Sequence, residues 1–389
     1  MDTAALNLRQ LRAMLAVVDS GSVTAASRLV NRTQPAVTQG ISKLERQFEL
    51  ALFERGPSGM KPTEAALTLA PRVRQALRLI GSHHVTATQM RALALVAAHG
   101  GYSAAAAIGG LSEASLHRSV RDLSIGFRQR LVERRRRGAV LTWRGQEILR
   151  QFRLAEAELR SALVEIASLR GPQQIGRIVV GAMPLSRARV LPAAIAAFHR
   201  LRPGSDVSII ESAYSDLIGP LRDGDIDLMV GALRDPAKSE GLLQIPLFED
   251  RPVILGRRGH PMSCAAGQIE ASRLVGYPWI VPPVGTPLRQ LWKSMFETAG
   301  LGAPHVSIEC GSVMMIRQML VDSDFLALLS PDQVAAELEA GWLAKIGDPP
   351  CEISRTIGLT VRADWRPTTL QNLFLDCLQT AARPAGSSA

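Results

Sequence analysis

The sequence predicts a protein of the α/β class, built from two tandem helical modules with β-hairpins, a long linker helix and a two-lobed α/β domain. Three observations predict this architecture. Residues 10–66 recur at an offset of 79, a heptad pattern of apolar residues follows the second copy, and strand and helix patterns alternate after residue 172. A chain of 389 residues has room for several such domains.

Excess positive charge is confined to the first part of the chain. Residues 1–170 contain 25 basic and 13 acidic side chains, a net charge of +12. Residues 171–389 contain 20 basic and 22 acidic side chains, a net charge of −2. This segregation indicates a polyanion-binding end rather than a generally basic protein.

The cysteine pattern and the N-terminal residues favour a cytoplasmic location. The four cysteines are widely spaced, which is typical of thiols in a reducing compartment and not of a disulfide framework or zinc site. No secretory signal pattern is visible at the N-terminus. The uncharged stretch 92–112 is interrupted by Gly100-Gly101 and Gly109-Gly110, so we interpret it as two helices with a turn and predict no membrane span.

The repeat defines the organisation of the basic part. Fourteen of 57 aligned positions are identical without a gap, so this part is two copies of one module. We place the boundaries of the modules and their linkers at residues 6–66 for copy 1, 67–84 for a short linker helix, 85–145 for copy 2 and 146–170 for the dimerisation linker helix.

Within copy 1 the patterns predict three helices and a hairpin. Apolar spacing predicts a first helix ending near Gly21, while Ser22 and Thr33 are suitable N-caps for a second and a third. Residues 52–63 are typical of two short strands around a Gly/Pro turn. Such a winged helix-turn-helix can place its third helix in a major groove of DNA, although a pure folding or interaction module is an alternative.

The motifs of copy 1 resemble a known family. The sequence TQPAVTQGISKLE at residues 33–45, followed by LFER at 52–55 and TEA at 63–65, resembles the N-terminal domain of LysR-type transcriptional regulators. Glu49 and Ala66 depart from the pattern, because the family commonly has Gly there, but neither belongs to the DNA-reading face.

The resemblance implies binding to double-stranded DNA through the third helix and its flanks. Gln34 suits bidentate contact with adenine, Pro35 suits contact with a thymine methyl group, and Arg55 suits a phosphate. An ordinary solvated side chain is the alternative for each residue. The full set of DNA-binding candidates in this copy is Arg32, Thr33, Gln34, Pro35, Thr38, Gln39, Lys43 and Arg55.

Copy 2 keeps the core positions and changes the reading face. Ser112 remains a helix cap, Glu113 replaces Gln34, and Arg118 replaces Gln39. Its hairpin gains a run of arginines that can neutralise DNA phosphates without reading sequence, namely Arg134, Arg135, Arg136 and Arg137. We hypothesise that copy 2 binds DNA mainly through backbone contacts. The alternative is a degenerate copy kept as a spacer or dimer surface.

The linker helix carries a heptad seam. Apolar residues at positions 148, 152, 155, 159, 162, 166 and 169 alternate steps of four and three, a pattern typical of a helix that pairs with a partner. Leu69, Val73, Ala76 and Ile80 have the same register after copy 1. Packing of the helix on its own domain is the alternative. The family resemblance implies a homodimer through this helix, often assembled into tetramers.

Strand and helix patterns after residue 172 predict an α/β domain with a largely parallel sheet. Its two-lobed arrangement resembles the periplasmic-binding-protein fold, which is the effector domain of the LysR family. We place this effector-binding domain at residues 175–385. Lobe I takes residues 175–237 and 345–385, and lobe II takes residues 238–344.

The carboxyl ends of these strands are where a small-molecule effector is expected. Arg234 can hold a carboxylate, and Tyr214 can stack or hydrogen-bond, whereas capping and turn chemistry is an alternative explanation for the hydroxyl residues. Residues 231–236 and 285–289 resemble the branch containing the galactose-binding-protein regulator, which implies a sugar or an aromatic or organic acid. The effector-binding candidates are Ser186, Tyr214, Arg234, Thr286, Ser312 and Ser330.

Catalytic motifs are not visible in the sequence. It contains no GxGxxG or P-loop, no Gly-x-Ser-x-Gly elbow and no histidines at metal-ligand spacing. We therefore predict no enzyme activity, no cofactor, no metal and no membrane partner. The predicted function is a LysR-type, effector-controlled, sequence-specific transcriptional regulator. The alternative is a small-molecule-binding protein or enzyme with an accessory nucleic-acid-binding module.

Overall fold

The computed structural model describes residues 3, 6–56, 59–135, 138–171, 176–262 and 268–383. The chain forms two compact units. The first comprises Met1–Gly176 with Asp223–Asp225, and the second comprises Arg177–Arg222 with Ile226–Ala389.

The first module has three helices, a hairpin and a following helix. Its elements are α1 (Leu8–Ser20), α2 (Val23–Leu29), α3 (Gln34–Phe48), β1 (Phe53–Gly56), β2 (Gly59–Pro62) and α4 (Glu64–Ile80). The side chains of Ser22, Thr33 and Thr63 accept backbone N–H groups at the starts of α2, α3 and α4. The two strands pair antiparallel, so the module is the predicted winged helix-turn-helix.

The second module repeats this order. Its elements are α5 (Ala87–His99), α6 (Tyr102–Gly109), α7 (Glu113–Gly126), β3 (Val132–Arg135), β4 (Gly138–Leu141) and α8 (Trp143–Ser168). Each element begins 79 residues after its counterpart in the first module. The two tandem winged modules of the predicted fold class are therefore confirmed.

Matching tertiary contacts hold the two hairpins in place. The backbone N–H of Met60 donates to the carbonyl oxygen of Gly21 at 3.3 Å, and that of Ala139 donates to Gly100 at 2.9 Å. This close approach requires glycine, because a Cβ at Gly138 would lie 2.1 Å from the oxygen of Gly100. Copy 2 therefore keeps the complete winged helix-turn-helix fold, although the exposed residues of its third helix differ from those of copy 1.

Helices α4 and α8 pack against each other within the chain. Both seams are buried in one core that spans the two modules, with members Leu69, Val73, Ala76, Ile80, Ile148, Phe152, Ala155, Leu159, Ala162 and Ile166. Glu49 forms an ion pair with Arg170, and the N–H of Thr63 donates to Leu52. These contacts place the start of α4 beside the end of α8, so the two helices run antiparallel.

This packing corrects the sequence-based prediction for the linker helix. The heptad seam was expected to need a second chain, but the seam of the first copy covers it instead. A homodimer of this chain cannot use the same seam while α4 occupies it. Only Leu169, the last seam position, is exposed.

Within the described residues, no single helix is long and apolar enough to cross a membrane. Helices α5 and α6 pass that test of composition only as a pair, and they are bent by 116° at the break between them.

The second unit contains two five-stranded sheets. The elements around the first sheet are β5 (Arg177–Ala182), α9 (Val190–Leu201), β6 (Asp206–Glu211), α10 (Tyr214–Asp223), β7 (Leu228–Ala232), β8 (Leu242–Asp250), β14 (Arg355–Arg362) and α15 (Thr369–Ala382). The elements around the second are β9 (Val253–Arg257), α11 (Ala271–Leu274), β10 (Trp279–Val281), α12 (Pro287–Glu297), β11 (Val306–Glu309), α13 (Val313–Val321), β12 (Leu326–Leu329), α14 (Ala335–Glu339) and β13 (Leu343–Gly347).

The strand orders are β6-β5-β7-β14-β8 and β11-β10-β12-β9-β13. In each sheet three neighbouring strands are parallel, and the fourth strand, β14 or β9, is antiparallel to both of its neighbours. The outermost strand, β8 or β13, therefore runs in the same direction as the parallel three. The predicted boundary between the lobes is wrong at both places where the chain passes from one lobe to the other. Strand β8 pairs with β14 and so belongs to lobe I rather than lobe II, while β13 pairs with β9 and stays wholly in lobe II.

Candidate DNA-reading helices and effector cleft

Helix α3 presents one polar face to solvent. Gln34, Pro35 and Gln39 are exposed, and Thr38 is half-buried on the same side. The opposite side carries Val37, Ile41, Leu44 and Phe48 into the core. The spacing of four between Gln34 and Thr38, and between Pro35 and Gln39, aligns these residues along one stripe, as a major-groove helix requires.

The flanks of α3 are held by its cap and by the hairpin. Thr33 Oγ1 accepts the N–H of Ala36 at 3.4 Å. Glu45 Oε1 accepts the N–H groups of Leu52 and Phe53 at 2.9 and 3.3 Å, which ties the end of α3 to β1. Arg32 and Lys43 are exposed on either side of the stripe. The side chain of Arg55 lies outside the described part of the structure.

Helix α7 exposes different chemistry at the same positions. Ser112 caps it by accepting the N–H of Ser115 at 3.2 Å, and Arg118 is exposed. Glu113 lies 3.7 Å from Nε2 of His117, whose ring stacks on Tyr102 with the ring centroids 3.6 Å apart. Burial raises the pKa of Tyr102, so its hydroxyl remains neutral.

A groove of about 560 Å³ lies along α7. Its lining residues include two arginines and a stacked aromatic pair: Tyr102, Ala114, His117, Arg118, Val120, Arg121, Ser124 and Val132. Ser124 occupies the position of Glu45, and its hydroxyl donates to Val120 instead of tying down the hairpin. Arg118 and Arg121 thus place positive charge along this groove, and the position that Glu45 has in copy 1 carries no carboxylate.

The four arginines of the second hairpin are not equivalent. Arg134 is exposed, whereas Arg135 donates to Glu133 at 2.8 and 3.0 Å. Arg136 and Arg137 lie outside the described residues. An arginine already paired with a carboxylate offers less charge to a phosphate, so Arg134 is the stronger phosphate-binding candidate among the described pair.

Arg234 lies beside two other effector-binding candidates, Tyr214 and Thr286. Its guanidinium carbon is 4.7 Å from the centroid of the Tyr214 ring, and its Nη1 donates to the carbonyl oxygen of Gly285 at 3.2 Å. Its own backbone N–H donates to the side chain of Gln244 at 2.7 Å. Arg234 on lobe I therefore reaches lobe II beside Thr286.

The guanidinium of Arg234 still has an unused donor. Its Nε is buried and has no hydrogen-bond partner. Burial lowers the pKa of Arg234, and the neighbouring Tyr214 offsets this only in part. An incoming carboxylate would supply both the acceptor and the charge.

The serine and threonine residues among the effector-binding candidates differ in their burial and in the hydrogen bonds that they already form. Ser186 is fully buried and donates to the carbonyl oxygen of Met183 at 2.8 Å. Thr286 donates to Pro283 at 2.8 Å and caps α12, and Ser312 caps α13. Ser330 is also buried. It precedes the turn Pro331–Val334, which contacts the turn Pro184–Arg187 that contains Ser186.

The structure thus brings Tyr214, Arg234 and Thr286 to one place, while Ser186 and Ser330 lie together at another. Sequence reasoning missed the ion pair at this second place, where Arg189 Nε lies 2.8 Å from Asp332 Oδ2 and bridges the lobes. It also missed Gln244, which fixes the Arg234 backbone. The ion pair has no local sequence signal because Arg189 and Asp332 are 143 residues apart, and no motif in the ten residues from Arg234 to Gln244 indicates their hydrogen bond.

No group of three or more histidine, cysteine, aspartate or glutamate side chains in the described residues is arranged to hold a metal ion.

Comparisons with known proteins agree with this architecture. The family described as "Bacterial regulatory helix-turn-helix protein, lysR family" matches residues 8–67 and again 87–146, and the family described as "LysR substrate binding domain" matches residues 172–383. The fold and its sites thus define a DNA-binding regulator with an effector domain. The chain belongs to the LysR family of bacterial transcriptional regulators.

Individual relatives differ in how much of the chain they match. The transcriptional regulator GalR of Pseudomonas putida is 33% identical over 97% of this chain and 98% of its own length. PcaQ of Agrobacterium fabrum is 29% identical over 70% of this chain and 87% of its own. A full-length OxyR variant from Pseudomonas aeruginosa shares the fold, with a TM-score of 0.58 at 22% identity over 78% of this chain and 96% of its own.

These relatives are named as transcriptional regulators, so the chain is a regulator and not an enzyme. Regulators of this family bind DNA and small-molecule effectors and form oligomers. The match to GalR includes both helix-turn-helix modules, because it covers nearly the whole chain.

Proposed function

We propose that α3 reads the operator, that the second hairpin anchors the protein on DNA phosphates, and that a carboxylate effector binds at Arg234. The exposed stripe of Gln34, Pro35, Thr38 and Gln39 supports the first part. It is the polar face of a capped helix in the charge-rich unit, and its residues can make adenine and thymine contacts.

Nuclease footprinting on the DNA that flanks the regulator's own gene tests the reading role. We expect specific protection at moderate salt, and its loss in Gln34→Ala. Protection that is absent, or that persists unchanged in Gln34→Ala, would contradict reading by α3.

The anchoring role rests on the arginine run. Replacing Arg134 to Arg137 with Ala should flatten the salt dependence of operator binding, because each phosphate contact adds about 0.9 to the slope of log affinity against log salt concentration. The control is Arg74→Ala, which removes an exposed cation from α4. An unchanged slope in the hairpin variant would favour the spacer interpretation.

The proposed class of effector rests on the guanidinium of Arg234, whose positive charge is only partly compensated by its neighbours. A buried, unpartnered Nε and a stacked tyrosine favour an aromatic or other organic acid over a neutral sugar. We further propose a cytoplasmic location and a dimer or tetramer that assembles through surfaces other than the seam, since α4 already covers the seam.

A further inference from the structure

The two winged modules of one chain are joined in the manner of two subunits. Equivalent seams on α4 and α8 face each other in antiparallel orientation, and both modules share one core. Use of the same surface on both sides is the arrangement of a twofold dimer interface. Here the two sides belong to a single polypeptide.

Buried charges favour the pairing of α4 with α8 over the pairing of two identical helices. Arg72 of α4, with a side chain only 7% exposed, donates to Glu165 at 2.6 Å and to Glu158 at 3.3 Å. At an offset of 79, the counterpart of Arg72 is Gln151 and the counterpart of Glu158 is Leu79. Pairing α4 with α4 would therefore bury Arg72 against leucine, and pairing α8 with α8 would leave two carboxylates without a cation.

The two reading helices offer different groups to DNA. Helix α3 carries Gln34 and Gln39, whereas α7 carries Glu113 and Arg118 at the equivalent positions. Glutamine is suited to adenine, glutamate accepts from cytosine N4, and arginine pairs with guanine. Two helix-turn-helix modules related by a twofold axis contact two half-sites about one helical turn apart.

We propose that one chain is a complete two-module reader, and that its operator consists of two unlike half-sites. Helix α3 reads the half rich in A·T contacts, and α7 reads the half rich in G·C contacts. One effector domain then controls two DNA-binding modules. This inference rests on the proposed DNA-reading function, and it adds base recognition to the anchoring role of the second module.

Selection of duplexes from a random-sequence pool by the full-length protein tests the proposal. We expect a two-part, non-palindromic consensus with centres about 10 base pairs apart. An inverted repeat of one identical half-site at that spacing, or a single half-site, would overturn the inference and leave reading by α3 intact. Two copies of the two-part site, one for each chain of a dimer, would support it. Failure to enrich any sequence would overturn the proposed function itself.

Binding measurements on combinations of protein and DNA variants show which helix reads each half-site. Gln34→Ala and Arg118→Ala are each measured on the selected duplex and on duplexes with one half replaced. We expect each substitution to lower affinity about 10-fold on the intact duplex and to have no further effect once its own half is replaced. Both residues are exposed, so the variants should fold, and Arg74→Ala is the control. If Gln34→Ala remains equally sensitive to both halves, the two sites are read by two copies of α3 and the proposal fails.

Discussion

Arg72 and Glu165 join the helices that follow the two winged modules. The guanidinium of Arg72 contacts both carboxylate oxygens of Glu165, with Nη2 and Nε donating at 2.6 and 3.2 Å. Burial lowers the pKa of Arg72, but hydrogen bonding to Glu165 and the charges of Glu165 and Glu158 raise it above its ordinary value. Arg72 therefore remains ionised within a largely apolar interface.

We expect Arg72→Ala to lower the free energy of unfolding of the first unit by about 3 kcal/mol, because two half-buried carboxylates would lose their cation. Arg74→Ala is the matched control, since Arg74 lies on the same helix and its pair with Asp19 is about half exposed. Its cost should stay below about 1 kcal/mol. Urea unfolding of the full-length variants measures both.

A variant without charges in the interface of α4 and α8 separates the contribution of the ion pair from that of burying these side chains. The triple variant Arg72→Met, Glu158→Gln and Glu165→Gln should recover most of the stability lost in Arg72→Ala, because no unpaired charge remains. Equal costs for Arg72→Ala and Arg74→Ala would show that the ion pair does not stabilise the helix pair.

Gln34 and Lys43 should affect DNA binding in different ways. Gln34→Ala should lose about 1–3 kcal/mol of binding free energy on the operator and almost none on unrelated DNA, because it removes a base contact. Lys43→Ala should weaken binding to both duplexes alike and reduce the salt slope by about 1. Titration of labelled duplexes at several salt concentrations separates the two patterns, and a uniform loss for Gln34→Ala would contradict base reading.

Arg234 should govern the response to acidic effectors. With benzoate as the probe, we expect the full-length protein to gain thermal stability, and Arg234→Gln to reduce the affinity by about 10-fold or more through loss of a charged hydrogen bond. Arg222→Gln is the control, because Arg222 on α10 donates to the backbone carbonyl oxygen of Glu240 and is not one of the effector-binding candidates. Stabilisation by galactose but not benzoate, unaltered in Arg234→Gln, would contradict a carboxylate effector.

The turn after α7 offers a stabilising substitution. Arg128 has a φ of 52°, in the left-handed region, and Glu49 has the same φ at the equivalent position of copy 1. Arg128→Gly should raise the free energy of unfolding by about 0.5–1 kcal/mol, because glycine adopts this conformation without strain. Glu49→Gly should gain less, since it also removes the ion pair with Arg170. Thermal unfolding measures both, and a loss of stability in Arg128→Gly would rule out strain at this residue.

The sequence alone determined the number and kind of modules. The repeat at an offset of 79, the caps Ser22 and Thr33, and the apolar spacing of α3 are local patterns, and local hydrogen bonding and periodicity fix such elements. The same patterns placed Gln34 and Pro35 on an exposed face, because a helix with one apolar side has only one side left for solvent.

Only the tertiary structure decided what covers each apolar face. The seam at Ile148 and Phe152 indicated a partner helix, but periodicity carries no information about whether that helix belongs to another chain or to residues 64–80 of the same one. Likewise, the position of Arg234 between Tyr214 and Gly285 depends on how the two lobes meet, and the pairing of β8 with β14 joins residues more than a hundred positions apart. Contacts of that sequence separation come from packing the whole chain, which no local pattern encodes.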